Sequence, residues 1–301
     1  MAEEKTGKRK TSAKQPVDII GARDYFKDKN RLLSPPIFRA AYSDRMAWIL
    51  ASMSQIAYDM FEEKGQAEKL LVAKLKGGGF KLLNTFDSKE TDTQAFLASN
   101  GEFLVLAFRG TEVKKTQDVK TDIRAVKVST IEGRVHTGFN TGYESVAESI
   151  AKSLVRLKDL PIYITGHSLG GALATVATQN LGRDTRFKDR IAACYTFGSP
   201  RVGNDQYDKS LKSPVYRVVN TTDVVTVVPL NLMGYTHIGD VRFLERNPDV
   251  IRRSVPILGR LLLFLAALFR LFGPLVGDHA IKEYRRKLDM VAEKRNPREK
   301  D

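Results

Sequence analysis

One serine flanked by glycines, four histidines and a few well-placed aspartates are the residues of this chain whose spacing suits covalent chemistry. Ser168 stands in Gly166-His167-Ser168-Leu169-Gly170, a G-x-S-x-G pentapeptide. The run Pro161–Thr165 before it is β-branched and aromatic, and small residues follow it at Gly171, Ala172, Ala174 and Ala177. That pattern predicts a strand turning sharply into a helix, with the serine at the apex. At such an apex the helix N-terminus presents N–H groups and a dipole that favour negative charge. A glycine-rich turn with a solvated serine is the plainer alternative, so the partners have to decide.

A nucleophilic serine needs a base to take its proton and an acid to orient that base. His167 lies inside the pentapeptide, where its ring cannot easily reach the neighbouring serine, and it reads as structural. His136 lies upstream in Val135-His136-Thr137-Gly138-Phe139, and His237 ends Gly234-Tyr235-Thr236-His237. His279 opens the final helix. Around serine elbows of this kind the chain order is serine, then acid, then histidine, which selects His279 as base. Asp223 directly follows the strand Val215–Asn220, and the carboxyl ends of parallel strands line the ligand crevice, so Asp223 is the acid. Asp205 and Asp208 read as solvated loop charges, and Asp278 as a helix cap. An oxyanion hole needs the N–H of Leu169 and a second donor from an earlier strand end. Phe108-Arg109-Gly110-Thr111 offers Thr111 for that role.

These side chains need elements to hold them. From Ala40 to Lys64, apolar residues recur at three- and four-residue steps (Met46, Ile49, Leu50, Met53, Ile56, Ala57, Met60), which predicts a helix. A second helix runs from Ala67 to Leu75 and stops at Gly77-Gly78-Gly79. Strands begin near Phe80, and Thr93–Ser99 and Phe103–Phe108 flank the hairpin signal Asn100-Gly101. Strands Pro161–Thr165, Ile191–Phe197 and Val215–Asn220 then alternate with helices near Thr141–Leu157 and Leu169–Asn180. The expected class is α/β: a mixed, mostly parallel central sheet with helices on both faces.

With 301 residues and 42% hydrophobic content the chain can bury a large core, and no linker divides it. The expected organisation is a disordered basic tail over 1–16 and one domain over 17–301. A formal charge of +14 favours an anionic partner. A membrane surface suits it better than nucleic acid, because the charge is diffuse and no nucleic-acid motif appears. Met1–Lys14 is polar and basic with no apolar run behind it, which reads as a tail rather than a secretory leader. The single cysteine, Cys194, lies in an apolar run and reads as a buried thiol. It excludes an intrachain disulfide and points to a reducing compartment. No metal-ligand cluster is spaced along the chain, and ester hydrolysis by a serine needs neither metal nor cofactor.

Several motifs together resemble the fungal-type, class 3 lipases: Leu106-Ala-Phe-Arg-Gly-Thr111, Val135-His-Thr-Gly-Phe139, Ile164-Thr-Gly-His-Ser-Leu-Gly-Gly-Ala-Leu-Ala174, Tyr195-Thr-Phe-Gly-Ser-Pro-Arg-Val-Gly-Asn204 and Asp278-His279. The resemblance spans roughly Ala40 to Leu288. It implies an α/β-hydrolase fold and hydrolysis of carboxylic esters of lipids by Ser168, Asp223 and His279. It also implies an oxyanion hole of Thr111 and Leu169, and structural roles for His136, His167 and His237. Where such lipases carry an amphipathic lid, Glu112–Ile123 is charged and poorly amphipathic.

The apolar weight falls instead on Val255–Val276, just before His279. Leu261, Leu262, Phe264, Leu265, Leu268 and Phe269 belong to a run without a polar residue, and Arg252, Arg253, Arg260 and Arg270 surround it. A helix over residues 257–272 would be about 24 Å long, short of the roughly 30 Å hydrocarbon core. The reading is a helix or lid that inserts at the membrane interface, with a buried core helix and a spanning or re-entrant segment as alternatives. The sequence-level expectation is a cytoplasmic, peripherally membrane-associated lipase or phospholipase. A soluble esterase, an acyltransferase or a non-catalytic lipid-binding protein are the alternatives.

Overall fold

The computed structural model describes residues 19–37, 41–59, 67–111, 126–157, 159–221, 223, 225–229, 233–245, 251–254 and 279–296. The basic tail, the Glu112–Ile123 stretch, Asp278 and the Val255–Val276 segment with Leu261, Leu262, Phe264, Leu265, Leu268 and Phe269 lie outside these residues.

After a helical turn α1 (Ile19–Ala22), the long helix α2 (Asp44–Asp59) starts where Ser43 Oγ accepts the N–H of Met46. It is shorter than the apolar periodicity predicts at its N-terminus, because Ser43 caps it. Helix α3 (Ala67–Gly77) leads into a three-stranded antiparallel ribbon, β1 (Lys81–Ser88), β2 (Thr93–Ser99) and β3 (Leu104–Phe108). The β2–β3 connection is a four-residue loop rather than a two-residue turn, since Ser99 pairs with Leu104. Asn100 Oδ1 sets it by accepting the N–H groups of Glu102 and Phe103.

A small hairpin, β4 (Lys127–Thr130) and β5 (Gly133–His136), delivers the chain into α4 (Thr137–Val155). Then β6 (Ile162–His167), α5 (Leu169–Leu181), β7 (Ile191–Phe197), the short α6 (Asp205–Lys209), β8 (Val215–Asn220), β9 (Asp240–Leu244) and α7 (Ile281–Arg295) follow. The main sheet has the order β1-β2-β3-β6-β7-β8-β9, parallel from β3 onward. The expected mixed, mostly parallel sheet is what these strands build.

Alternation along the strands splits the core in two. Phe96, Val105, Tyr163, Tyr195 and Val218 pack under α2, α3 and α7, where Trp48, Leu71, Tyr284 and Leu288 are buried. Leu97, Leu106, Ile164, Cys194 and Val215 face α4 and α5 on the other side. Cys194 is fully enclosed, and burial pushes its thiol up to about 12, as suits a packing residue. Helices α2 and α7 lie side by side and carry, near one end of each, residues that hold the candidate site.

Among the described residues no helix is long and apolar enough to cross a membrane.

Candidate active site

The turn between β6 and α5 is built by close approach. A Cβ on Gly166 would sit 2.0 Å from the Gly170 carbonyl oxygen, and one on Gly170 would sit 2.5 Å from that of Phe108. Only glycine fits either place, and the two together let the helix start directly against β3 and β6. Ser168 then takes φ 56° and ψ −127°, a strained backbone for a side chain with a Cβ. Its N–H donates to the Phe197 carbonyl at 2.9 Å, and its carbonyl accepts the Gly171 N–H at 2.9 Å. The strain is therefore held by the neighbouring strand on one side and the helix on the other.

His279 lies two residues before α7, not inside it as the sequence suggests. Its Nε2 is 2.9 Å from Ser168 Oγ, and its Nδ1 is 2.8 Å from Asp223 Oδ2. An ionised Asp223 requires the ring proton on Nδ1, which leaves Nε2 to accept the serine hydroxyl. All three side chains are buried. Sequence order and strand position brought forward Ser168, Asp223 and His279, and the fold brings these three into one hydrogen-bonded line.

Asp223 is anchored from three directions. Its Oδ1 accepts the Val225 N–H at 2.9 Å, while Oδ2 accepts Tyr284 Oη–H at 2.6 Å beside the His279 bond. Tyr284 is itself fixed, accepting the Asn220 N–H at 3.0 Å, and Lys287 Nζ donates to Asn220 Oδ1. Burial and the adjacent carboxylate hold the Tyr284 phenol well above its ordinary range, so it remains a donor. Gly198, at φ +57°, passes directly beneath: a Cβ there would be 2.7 Å from Asp223 Oδ2 and 3.1 Å from the His279 ring.

The backbone of His279 has its own tether. His167 Nε2 is 2.6 Å from the His279 carbonyl oxygen and so donates to it, and Nδ1 accepts Tyr58 Oη–H at 2.7 Å. Burial, with the nearby His279, keeps His167 well below the ordinary histidine range, which matches this neutral tautomer. His167 makes no bond to the serine beside it; it positions the base. His136 stacks on Phe139 with ring centroids 4.2 Å apart. Burial and the charges of Arg217 and Arg201 push His237 down to about 2. Asp208 Oδ1 accepts the Gly239 N–H at 2.7 Å, and Asp205 pairs with Lys209 at the surface.

Leu169 is the first residue of α5, where N–H groups lack intrahelical acceptors. Thr111 is exposed, one residue beyond Gly110, which packs against the elbow: a Cβ on Gly110 would lie 2.4 Å from the His167 carbonyl oxygen. Leu169 thus adjoins Ser168 in the chain, and Thr111 follows the glycine that touches the elbow. Tyr58 and Tyr284 are the site residues that sequence reasoning passed over. For Tyr284 a signal exists, a tyrosine early in the helix that follows the base. Among the described residues no group of three His, Cys, Asp or Glu side chains gathers to hold a metal ion.

Residues 105–233 match the family model for class 3 lipases. A lipase of Rhizopus niveus is 31% identical over 170 residues, which is 53% of this chain and 43% of that protein. A chloroplastic phospholipase A(1) of Arabidopsis thaliana is 45% identical over 74 residues, 23% of this chain and 16% of that one. The chain thus spans less than half the length of these relatives. The crystal structure of a lipase from Rhizopus microsporus var. chinensis superposes with a TM-score of 0.56 at 27% identity, covering 66% of this chain and 72% of that one. The fold is that of the α/β hydrolases, and over residues 105–233, which hold the elbow and Asp223, the chain matches the class 3 lipase family.

Proposed function

We propose that the chain is a serine-dependent hydrolase of carboxylic esters in membrane or aggregated lipids, acylglycerols or phospholipids. The observation that carries this reading is the unbroken line Ser168 Oγ, His279, Asp223 at a strained strand–helix turn. The similarity to a lipase and to a phospholipase A(1) supports the substrate class.

In this reading Ser168 Oγ attacks the ester carbonyl while His279 Nε2 takes its proton, and Asp223 stabilises the imidazolium. The oxyanion meets the Leu169 N–H and the backbone N–H and hydroxyl of Thr111. Losing one such donor costs about a hundred- to a thousandfold in turnover. Collapse breaks the ester C–O bond, and the alcohol leaves with the proton from His279. Water then attacks the acyl-serine, giving its proton to His279, and the fatty acid departs as Ser168 recovers its hydrogen.

The lipid surface enters through residues 255–276. This apolar, arginine-flanked run ends three residues before His279, so its docking would bring an interface close to the base. Basic residues near an anionic surface add about 1 kcal/mol each at moderate salt, which gives the +14 charge a use. We take 17–301 as one lipase-like domain after a basic tail, cytoplasmic and peripherally bound to anionic membranes. The lone buried Cys194 fits a reducing compartment.

The test is hydrolysis of triacylglycerol, diacylglycerol and phospholipid dispersions by the purified chain, with Ser168→Ala as control. Fatty-acid release that rises above the solubility limit of the substrate supports the reading. Activity confined to dissolved short-chain esters would make the chain a soluble esterase. Acyl transfer to an alcohol without hydrolysis would make it an acyltransferase, and lipid binding with no turnover a non-catalytic lipid binder. Loss of co-sedimentation with anionic vesicles on deleting 255–276 is expected; unchanged binding would remove that segment from the account.

A further inference from the structure

Helices α2 and α7 run antiparallel in effect: Tyr58, Tyr284 and His279 mark their site ends, while Asp44 and Arg295 meet at the others with Arg295 Nη1 2.7 Å from Asp44 Oδ2. From Ile281 to Arg295 the helix rises about 21 Å. At this far end a cavity of about 310 Å³ opens, lined by Ala41, Tyr42, Arg242, Ile251, Arg253 and Arg295. Three guanidinium groups from three separate parts of the chain therefore face one hollow.

Their charges are unequally matched. Arg242 is buried, pairs with Asp240 at 2.8 Å and lies over the rings of Tyr42 and Tyr216, 5.0 and 5.3 Å from their centroids. Arg295 has Asp44. Arg253 is exposed and forms no ion pair of its own among the described residues, but its charge acts on Asp240, which it shares with Arg242. Its neighbour Arg252, which does not line the cavity, is the one bonded to Glu245, at 2.7 Å. Among the described residues, three cations stand against two carboxylates, Asp240 and Asp44, an excess of one positive charge. The Tyr42 hydroxyl is buried with no hydrogen-bond partner among the described residues, an unused donor beside that charge.

We propose that this cavity is a second ligand site, separate from the Ser168 crevice, that binds a phosphomonoester carrying a small organic group. Guanidinium forks match the oxygens of a phosphate and hold it bidentately, better than a point charge would. Tyr42, Ala41 and Ile251 supply an apolar wall for the organic part. The volume lies at the small end of the range for ligand pockets. The ligand is either a soluble phosphomonoester or the exposed phosphate of a lipid such as phosphatidic acid, and the same arginines serve both.

Two arms separate these sources. Thermal melting of the full chain with glycerol 3-phosphate, at ionic strength fixed with chloride, reads the soluble form. Flotation with phosphatidylcholine vesicles with and without phosphatidic acid reads the lipid form. Arg253→Ala is the informative variant because Arg253 is exposed and packs against little, and Arg252→Ala is the control. Saturable stabilisation by glycerol 3-phosphate is expected, with apparent affinity falling at least tenfold in Arg253→Ala and unchanged in Arg252→Ala. Phosphatidic-acid-dependent flotation lost in Arg253→Ala, without a response to glycerol 3-phosphate, supports the site and makes the lipid its ligand. If neither probe binds, or if Arg253→Ala binds both as the wild type does, the site is refuted. Covalent labelling of Ser168 on the same samples is independent of either outcome.

Discussion

Replacing Tyr284 by Phe removes one hydroxyl and two hydrogen bonds, both buried. The donor bond to Asp223 Oδ2 at 2.6 Å goes to a carboxylate, and such bonds are worth about 1.5–3 kcal/mol. The bond that Tyr284 Oη accepts from the enclosed Asn220 N–H is lost as well, at about 0.5–1.5 kcal/mol net. Ring packing survives the change, so the expected loss of stability is about 2–4.5 kcal/mol, read by urea unfolding. Catalysis should suffer separately. Asp223 would keep Val225 N–H on one oxygen and His279 on the other, but lose the group that fixes the angle at Oδ2. A loosened imidazole worth about 1.4–2.8 kcal/mol in the transition state lowers kcat about 10- to 100-fold. KM should stay near the wild-type value, since Tyr284 lies behind Asp223 and away from the crevice. A Tyr284→Phe enzyme that is less stable yet keeps kcat within twofold would show that His279 and Val225 alone orient Asp223, and would refute the positioning argument.

Other perturbations probe the same framework from different sides. Gly198→Ala forces a Cβ into the 2.7 Å gap beside Asp223 Oδ2 at a φ of +57°, so kcat should fall at least tenfold while lipid binding persists. Vesicle co-sedimentation beside an esterase assay reads both. His167 and His237 are both held below the unfolded histidine value of about 6.5, His237 at about 2. The unfolded chain then binds more protons below that value, so their stability is fully present at pH 7 and declines as pH drops. Each contributes a slope of up to about 1.4 kcal/mol per pH unit. Urea unfolding at pH 7, 6 and 5 should show the decline, and His237→Asn should remove one share of it; a flat profile would contradict the buried neutral state. Leu288→Ala empties a fully buried position under α7 and should cost about 2–5 kcal/mol by the same unfolding assay.

What could be read in advance divides along physical lines. Ser168, Asp223 and His279 were accessible because an elbow, a strand end and chain order are local or topological properties. The long amphipathic α2 and the buried β3, β6, β7 and β8 announce themselves by periodicity. The hairpin β4–β5 does not, since its strands are only four residues long, β4 buries none of its residues and β5 exposes only Arg134. Strand β9 hides for a sharper reason: the buried places in Asp240–Leu244 are Arg242 and Leu244. Its core-facing charge is tolerated only because Asp240 and two tyrosine rings surround the guanidinium, a tertiary circumstance. Tyr58 and Tyr284 were equally invisible as site residues. Each sits on an ordinary buried helix stripe, and only the crossing of α2 and α7 over the elbow turns a packing tyrosine into a hydrogen-bond donor. The His279 tether through His167 is of the same kind, because it joins residues 112 positions apart.

The central claim is that Ser168 is a nucleophile activated by His279, and a fluorophosphonate probe tests it most directly. Intact mass and peptide mapping of the labelled protein should show one adduct, on Ser168. Labelling should be absent in Ser168→Ala and slowed by several orders of magnitude in His279→Ala. A wild-type chain that stays unlabelled, or labels equally well without His279, would contradict the account.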